Sequence, residues 1–557
     1  MEDRYVIGLD FGTLSGRAVL VSCENGDVLA DDVKEYAHKV MSDYLPDKVT
    51  GLKGNCALQH PRDYLDVMKA TVKNVMKKSG INKDEIIGIS MDFTSCTILP
   101  IDENAVPLCM KKEYEHRPHA YAKLWKHHGA QTDADIINDI LKDYHESDKE
   151  RFAGKVSPEL LIPKIMEIIR EDYEIYEKAD EILEAGDWLT RVITNSEKRS
   201  GSMAGYKAWW LPEKGYPESE FFALLDSKLE HVVKDKLGEE VCPIGNSIGN
   251  LTDLWAEYLG LLPGTPVGAS IIDSHAGVPG SGIYRKGQMM LVAGTSSVII
   301  ALSDKPFSGK GICGTYKGGI IPDYYALESG LAAVGDMLQW FIQNSVPAEY
   351  FLAADRNEVT IHEYLSMLAG SYKAGENGLI ALDWWNGNKT PHVDGELSGM
   401  LIGISMKTKP EEIYRALIES TAYGTRMIVE TMKEAGIEID EITASGGIAA
   451  KNPFFMQIYA DVLGIPIGVA ASSQTAALGS AIYAAVAAGA SEGGYDTIEE
   501  AVAAMSKTKE KIYFPIADNV IKYNQIYREY RILTDYFGPE GNAVLKKLSV
   551  WKSETTN

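Results

Sequence analysis

One device, used twice, limits what this chain can fold into. Near the start, residues 5–9 and 18–22 read as apolar strands around a turn holding Gly12, Thr13, Ser15 and Gly16. Residues 290–302 repeat the pattern: an apolar strand, then Gly294-Thr295-Ser296-Ser297, then a second apolar strand. Phe11-Gly12-Thr13 aligns with Ala293-Gly294-Thr295, and the strand after each turn matches with one residue dropped. A single such turn reads equally well as an ordinary β-hairpin. A repeat about 280 residues apart implies two related halves.

The residue types give the repeat a task. Glycines let a turn bring amide N–H groups close to an anion. Thr13 and Ser15 add hydroxyl donors, Arg17 adds a planar cation, and Asp10 ends the first strand. A carboxylate beside a phosphate cradle makes sense if a hard divalent cation, Mg²⁺, joins them. Two such turns facing each other would clamp a nucleotide between the halves.

Bulk properties narrow the partners. At 557 residues the chain needs two or more cores. A net charge of −24, with no basic run, disfavours nucleic acid and anionic membrane surfaces. No stretch matches the ~20 apolar residues of a membrane span, and residues 476–490, rich in alanine, suit a buried helix. The N-terminus enters a strand at once, without a signal peptide, and six scattered cysteines lack CxxC spacing. Both features fit reduced thiols in the cytoplasm.

In chain order, residues 27–36 are expected to add a third antiparallel strand, 61–78 a helix stopped at Ser79-Gly80, and 85–92 a buried parallel strand. That strand runs into the polar loop Phe93-Thr94-Ser95-Cys96-Thr97, where α/β sheets place ligand groups. Residues 111–143 are rich in His and aromatics (His116, His119, His127, His128, Trp125), but no HExxH or HxH pattern favours metal. A surface helix or a polyol-contacting segment fits them better. Residues 158–170 and 172–184 read as helices and 200–210 as a flexible loop carrying Lys207, which alone reads as a surface cation. Asp273 follows a short strand: a helix N-cap is one reading, a general base at a strand end the other. The hairpin expected over 311–327 leads to Glu328. Later come a helix over 409–433, the strand–Gly446-Gly447–helix turn that would let a ribose or flat ring approach, and Asn452.

Taken together, Asp10-Phe11-Gly12-Thr13, Gly294-Thr295-Ser296 and Ser445-Gly446-Gly447 resemble the actin, sugar-kinase and heat-shock ATPase superfamily. Asp273-Ser274-His275-Ala276, with Gly399-Met400-Leu401-Ile402-Gly403 and Glu412-Ile413-Tyr414-Arg415-Ala416, resembles the FGGY carbohydrate kinases, although Leu417 departs from the small or β-branched residue usual there. The resemblance covers almost the whole chain. It implies an α/β fold of two ribonuclease-H-like domains with an interdomain ATP cleft, divided here into 1–282 and 283–557.

Asp92-Phe93-Thr94-Ser95-Cys96-Thr97, Leu124-Trp125-Lys126-His127-His128 and Gly205-Tyr206-Lys207 are similar to the branch acting on L-ribulose. The implied activity is ATP-dependent phosphorylation of L-ribulose in arabinose breakdown. Kinases of D-ribulose, D-xylulose or ribitol are alternatives, as is an actin-like switch. By the same resemblance Ser95, Lys207, Asp273 and Glu328 contact the sugar and Asp273 is the base. Gly12, Thr13, Ser15, Arg17, Gly294, Thr295 and Ser296 hold ATP phosphates, Gly446, Gly447 and Asn452 border adenosine, and Asp10 serves Mg²⁺. Two copies of the chain would pair as a homodimer.

Overall fold

The computed structural model describes residues 3–144, 149–152, 155–307, 311–507 and 511–556. They form two compact units: Met1–Tyr284 with Thr315–Ala326 and Gln474–Lys507, and Arg285–Gly314 with Leu327–Ser473 and Thr508–Asn557.

In the first unit, β1 (Tyr5–Phe11) pairs antiparallel with β2 (Ser15–Ser22), from Tyr5↔Ser22 to Phe11↔Gly16. The third strand expected downstream is β3 (Val28–Glu35), antiparallel to β2. Helix α1 (Pro61–Ser79) covers β2 and β3 and ends at Gly80, as its stop signal predicts. The buried strand β4 (Ile86–Phe93) runs parallel to β1, with Asp10 directly opposite Asp92. Stacking of Phe11 on Phe93, ring centres 4.4 Å apart, fixes this register at the strand ends.

An inserted layer follows: β5 (Ile98–Ile101), α2 (Leu161–Glu171), β6 (Glu181–Glu184), α3 (Ala185–Thr194) and α4 (Gly201–Ala208). Two expectations fail here. The helix anticipated over 172–184 stops at Lys178, because 181–184 pair with β5 instead, Ile98 opposite Glu184. The segment read as a loop over 200–210 is α4, started by the Ser200 side chain accepting from the Ser202 amide. The sheet is completed by β7 (Ser247–Asn250), β8 (Pro266–Gly268) and β9 (Ile271–Ile272), the last parallel to β4 with Ile271 opposite Asp92. β9 leads directly into α5 (Asp273–Gly280).

The second unit is built on the same plan. β10 (Gln288–Ala293) and β11 (Ser297–Ser303) form its antiparallel hairpin. β12 (Gly314–Lys317) and β13 (Tyr325–Ser329) follow, residues 315–326 of this stretch being counted in the first unit. The amphipathic α6 (Pro410–Glu434) precedes β14 (Glu441–Ser445), which lies parallel to β10 on its other side. After α7 (Gly447–Lys451) and α8 (Pro453–Leu463), β15 (Ile467–Val469) adds in parallel, and β16 (Lys511–Tyr513) closes the edge antiparallel. Both sheets are therefore mixed: a hairpin with parallel strands added beside its first strand.

The alanine-rich run becomes α9 (Thr475–Ala488), which returns to the first unit and packs on β1, β4 and α5. Small residues make that contact close. A Cβ built on Gly8 would lie 2.0 Å from the Ala477 carbonyl oxygen, and one on Gly479 would lie 1.8 Å from that of Ala276. Among the described residues no helix is long and apolar enough to cross a membrane, and all six cysteines are free thiols.

Candidate active site

The two turns are closed by similar bonds, the second one residue shorter. In the first unit the Gly12 amide donates to the Ser15 carbonyl at 3.0 Å; in the second the Gly294 amide donates to that of Ser296, also at 3.0 Å. Neither glycine has a positive φ, and a Cβ at either would meet nothing closer than 3.5 Å. The fold itself therefore has room for a side chain at both places. Their bareness serves whatever approaches the turn from outside.

The first turn is braced from neighbouring segments. Gln59 Nε2 donates to the Thr13 carbonyl at 2.8 Å, and Trp125 Nε1 donates to Thr13 Oγ1 at 3.1 Å. Sequence reasoning grouped Trp125 with other aromatics and missed this bond; nothing in the spacing of 13 and 125 announces it. The second turn is braced by the chain beyond β13: Val334 and Asp336 amides donate to the Thr295 carbonyl at 2.8 and 3.2 Å.

Carboxylates gather where β1, β4 and β9 end. Arg17, opposite Asp10 across the hairpin, pairs with it at 3.0 Å. Burial raises the Asp10 carboxyl while Arg17 opposes it. Asp92 is fully buried and pushed well above the usual carboxylate range, by burial first and then by Asp10, with Asp273 adding to the effect. Its Oδ2 accepts from Ser480 Oγ of α9 at 2.7 Å, and its Oδ1 has no hydrogen-bond partner among the described residues. Asp273 opens α5 half-buried, its Oδ1 accepting from the Ser274 amide at 2.7 Å. Ile272 holds the cap position without a side-chain cap bond, so the N-cap reading is not borne out, and Asp273 stands as the first residue of the helix.

Asp10 and Asp273 both act on Asp92, and a hard cation that keeps most of its water would need only one or two protein oxygens here. Among the described residues no set of three or more His, Cys, Asp or Glu could enclose a metal. The histidines of 111–143 are held by acids instead: buried His127 bonds Glu167 at 2.9 Å, and exposed His128 meets Glu159 at 3.2 Å.

Beside the carboxyls lies a polar wall. The Thr94 amide donates to the Phe11 carbonyl at 3.1 Å, tying the Ser95 loop to the end of β1. Ser95 is half-buried at its tip. The last turn of α4 carries Lys207, half-buried, with Nζ 4.8 Å from the Tyr206 ring centre, and that ring meets His275 of α5 edge-on at 4.5 Å. Lys207 also interacts electrostatically with Cys96, Glu159 and Glu184. The first unit therefore holds Asp10, Gly12, Thr13, Ser15, Arg17, Ser95, Lys207 and Asp273.

The second unit holds Gly294, Thr295, Ser296, Glu328, Gly446, Gly447 and Asn452. Glu328 sits on β13 with Lys389 Nζ 4.0 Å away. Gly446 turns with φ +93, pressed against the Ala293 carbonyl, and Gly447 is open on its free side. Asn452 caps α8: its Oδ1 accepts from the Phe455 amide at 3.0 Å, while its Nδ2 donates to Ser366 Oγ at 3.0 Å.

Similarity to known proteins fits this architecture. Residues 5–280 match the N-terminal domain of the FGGY family of carbohydrate kinases, and residues 289–488 match its C-terminal domain. A ribulokinase of Bacillus licheniformis is 48% identical over 540 residues, covering 97% of this chain and 98% of the relative. One of Anoxybacillus flavithermus is 47% identical over 552 residues, covering 99% and 98%. Among solved structures, a gluconate kinase from Lactobacillus acidophilus superposes with a TM-score of 0.78 at 18% identity, covering 97% of this chain and 99% of that one, a likeness of fold. The chain belongs to the FGGY family of carbohydrate kinases, with that family's two-domain, actin-like α/β fold.

Proposed function

We propose that the chain is a kinase of L-ribulose, transferring the γ-phosphoryl group of ATP to the terminal hydroxyl and releasing L-ribulose 5-phosphate, ADP and a proton. The observation that carries the mechanism is the placement of Asp273, at the end of the strand beside Asp92 and at the start of α5. The nearly full-length relatives named ribulokinase support the choice of sugar.

Asp273 accepts the proton of the attacking hydroxyl as the oxygen closes on phosphorus. Phosphoryl transfer needs positioning and charge neutralisation more than covalent help. Gly12, Thr13, Ser15 and Arg17 supply donors from the first half, and Gly294, Thr295 and Ser296 from the second. Gly446 and Gly447 leave room for the nucleoside, with Asn452 shaping the turn. Ser95, Lys207 and Glu328 present donors and acceptors to the ketose. Asp10 would hold Mg²⁺, which when bound would neutralise phosphate charge. The functional halves in this reading are 1–282 and 283–557. The reaction takes place in the cytoplasm, where ATP is abundant and the six free thiols stay reduced.

The test is ADP release with MgATP across ketopentoses, pentitols and glycerol, for wild type and Asp273→Ala. Turnover led by L-ribulose and lost in the variant is expected. Preference for D-xylulose or glycerol would overturn the substrate. Hydrolysis independent of sugar and untouched by the substitution would overturn the kinase mechanism.

A further inference from the structure

The strand that carries Glu328 ends in a buried knot that the mechanism above does not use. β13 runs through Ser329 into Gly330, which passes so close to β11 that a Cβ there would lie 2.1 Å from the Ser297 carbonyl oxygen. Gly330 is buried, and buried backbone groups need partners. One side chain, 60 residues further along the chain, meets both of its peptide groups. Thr390 Oγ1 donates to the Gly330 carbonyl at 2.7 Å and accepts from the Gly330 amide at 3.1 Å. A hydroxyl is donor and acceptor in one atom, which is what this clamp requires.

Thr390 is itself held firmly. It is wholly buried and belongs to a loop over 383–394 that is tied at several points. Asp383 Oδ1 accepts from the Tyr530 hydroxyl at 2.8 Å. Trp384 is fully buried, with its ring edge-on to His392 at 5.5 Å. Asn388 and Asp394 exchange backbone bonds at 2.9 and 2.8 Å, and the His392 amide donates to Asn388 Oδ1 at 2.9 Å. An anchor locked by its own packing can lock what it holds.

The neighbours of Gly330 divide between two tasks. On one side, the Glu328 carbonyl accepts from the Cys313 amide at 2.7 Å, and Lys389 Nζ of the same loop stands 4.0 Å from Glu328 Oε1. On the other side, the Leu331 amide donates to Ser297 Oγ at 3.0 Å, and its carbonyl accepts from the Ser297 amide at 3.0 Å. Ser297 follows the second phosphate turn directly, so that turn has bonds of its own. All these residues lie in the second unit.

We propose that Thr390 is a positioning residue of the sugar site, whose hydroxyl clamps Gly330 and so fixes where β13 presents Glu328 to the ketose. This rests on the proposed contact of Glu328 with the sugar. Without the hydroxyl, the Gly330 amide and carbonyl lose this partner and the strand end shifts to find others. Glu328 moves with it, while Ser297 and Leu331 keep the second turn in place. The damage falls on the sugar and spares ATP.

The experiment measures Kd for L-ribulose by calorimetry and KM for ATP in wild type, Thr390→Val, Thr390→Ser, Glu328→Gln and the double variant of Thr390→Val with Glu328→Gln. Thr390→Val keeps the shape and loses the hydroxyl. It should weaken L-ribulose about tenfold, the scale of one charge-assisted contact at Glu328, with KM for ATP unchanged. Thr390→Ser keeps the hydroxyl and should bind L-ribulose as wild type does. Added to Glu328→Gln, Thr390→Val should weaken L-ribulose no further, because two residues acting through one contact are not additive. A merely structural role gives no such silence. Wild-type affinity in Thr390→Val overturns the proposal, as does a second tenfold loss in the double variant or a Thr390→Ser as weak as Thr390→Val. If Thr390→Val fails to fold, Thr390→Cys takes its place, since a thiol is the poorer hydrogen-bonding group. Weaker binding than in Thr390→Ser then supports the proposal, and equal binding overturns it. If Glu328→Gln binds L-ribulose as wild type does, the reading of the site itself falls.

Discussion

Substituting Gly479 by alanine tests the close seat of α9. In an isolated helix this change stabilises by about 1 kcal/mol, because glycine is the poorer helix former. Here the added Cβ would stand 1.8 Å from the Ala276 carbonyl oxygen, against 3.4 Å for ordinary contact, so α9 and α5 must part by about 1.6 Å. The obstacle is backbone, which no rotamer change relieves. Overpacking costs about 1–3 kcal/mol, and a clash of this depth belongs at the upper end. Subtracting the propensity gain leaves a net loss of about 2 kcal/mol. Urea titration of Gly479→Ala would read it as a lowered midpoint, with Gly54→Ala, whose Cβ meets nothing within 4 Å, as the neutral reference. Since Ala276 lies three residues after Asp273 on α5, kcat should fall as well, by about 100-fold for a displacement near 1 Å. A variant as stable as wild type, with wild-type kcat, would refute the reasoning.

Gly294→Ala should leave the midpoint within about 0.5 kcal/mol yet raise the KM for ATP about tenfold, because its Cβ would obstruct the proposed approach of a phosphate to the turn; urea titration and ATP kinetics read the two separately. Trp125→Phe removes the donor to Thr13 Oγ1, and kcat/KM should fall about fivefold, the value of a neutral hydrogen bond near 1 kcal/mol. The His127 ring is pushed down to about 4, by burial and then Lys123, with Glu167 opposing. Its unfolded value is near 6.5, so below that pH the unfolded chain takes up a proton the native state refuses. Stability is full above pH 6.5 and declines toward pH 4, by no more than about 3 kcal/mol; melting temperatures across that range should lose this slope in His127→Gln. Alkylation by a small maleimide should reach Cys56 and Cys313 well before Cys23, Cys96, Cys109 and Cys242, which are buried; mass mapping of labelled peptides reads the order.

What the sequence disclosed follows the range of the interactions involved. The hairpin repeat, the helix ending at Gly80 and the strand running into Asp92 are written in local periodicity and turn chemistry, and all three stand. Residues 181–184 had helical spacing but became a strand because β5 offered a partner 80 residues earlier. Helix α4 was obscured by Gly201 and Gly205, poor helix formers; its one local signal was Ser200 as a cap. Lys164 was legible in principle, since it falls on the apolar face set by Leu161, Ile165 and Ile168, where a lysine must be buried. Trp125 and Ser480 were not: their bonds to Thr13 and Asp92 span 112 and 388 residues, and only the folded chain brings such groups together.

The return of α9 has a consequence for how the molecule is made. Its seat on β1 and β4 belongs to residues synthesised first, yet the helix that fills it is encoded about 390 residues after β4 begins. At about 5–20 residues per second, the ribosome leaves that sheet face bare for roughly 20–80 s. During that time Val6, Gly8, Gly88 and Ser90, which share the face that α9 covers and are buried in the finished molecule, lack their cover. Until α9 arrives, the close seat at Gly8 and Gly88 stays open to water, and truncation before residue 475 leaves it open permanently.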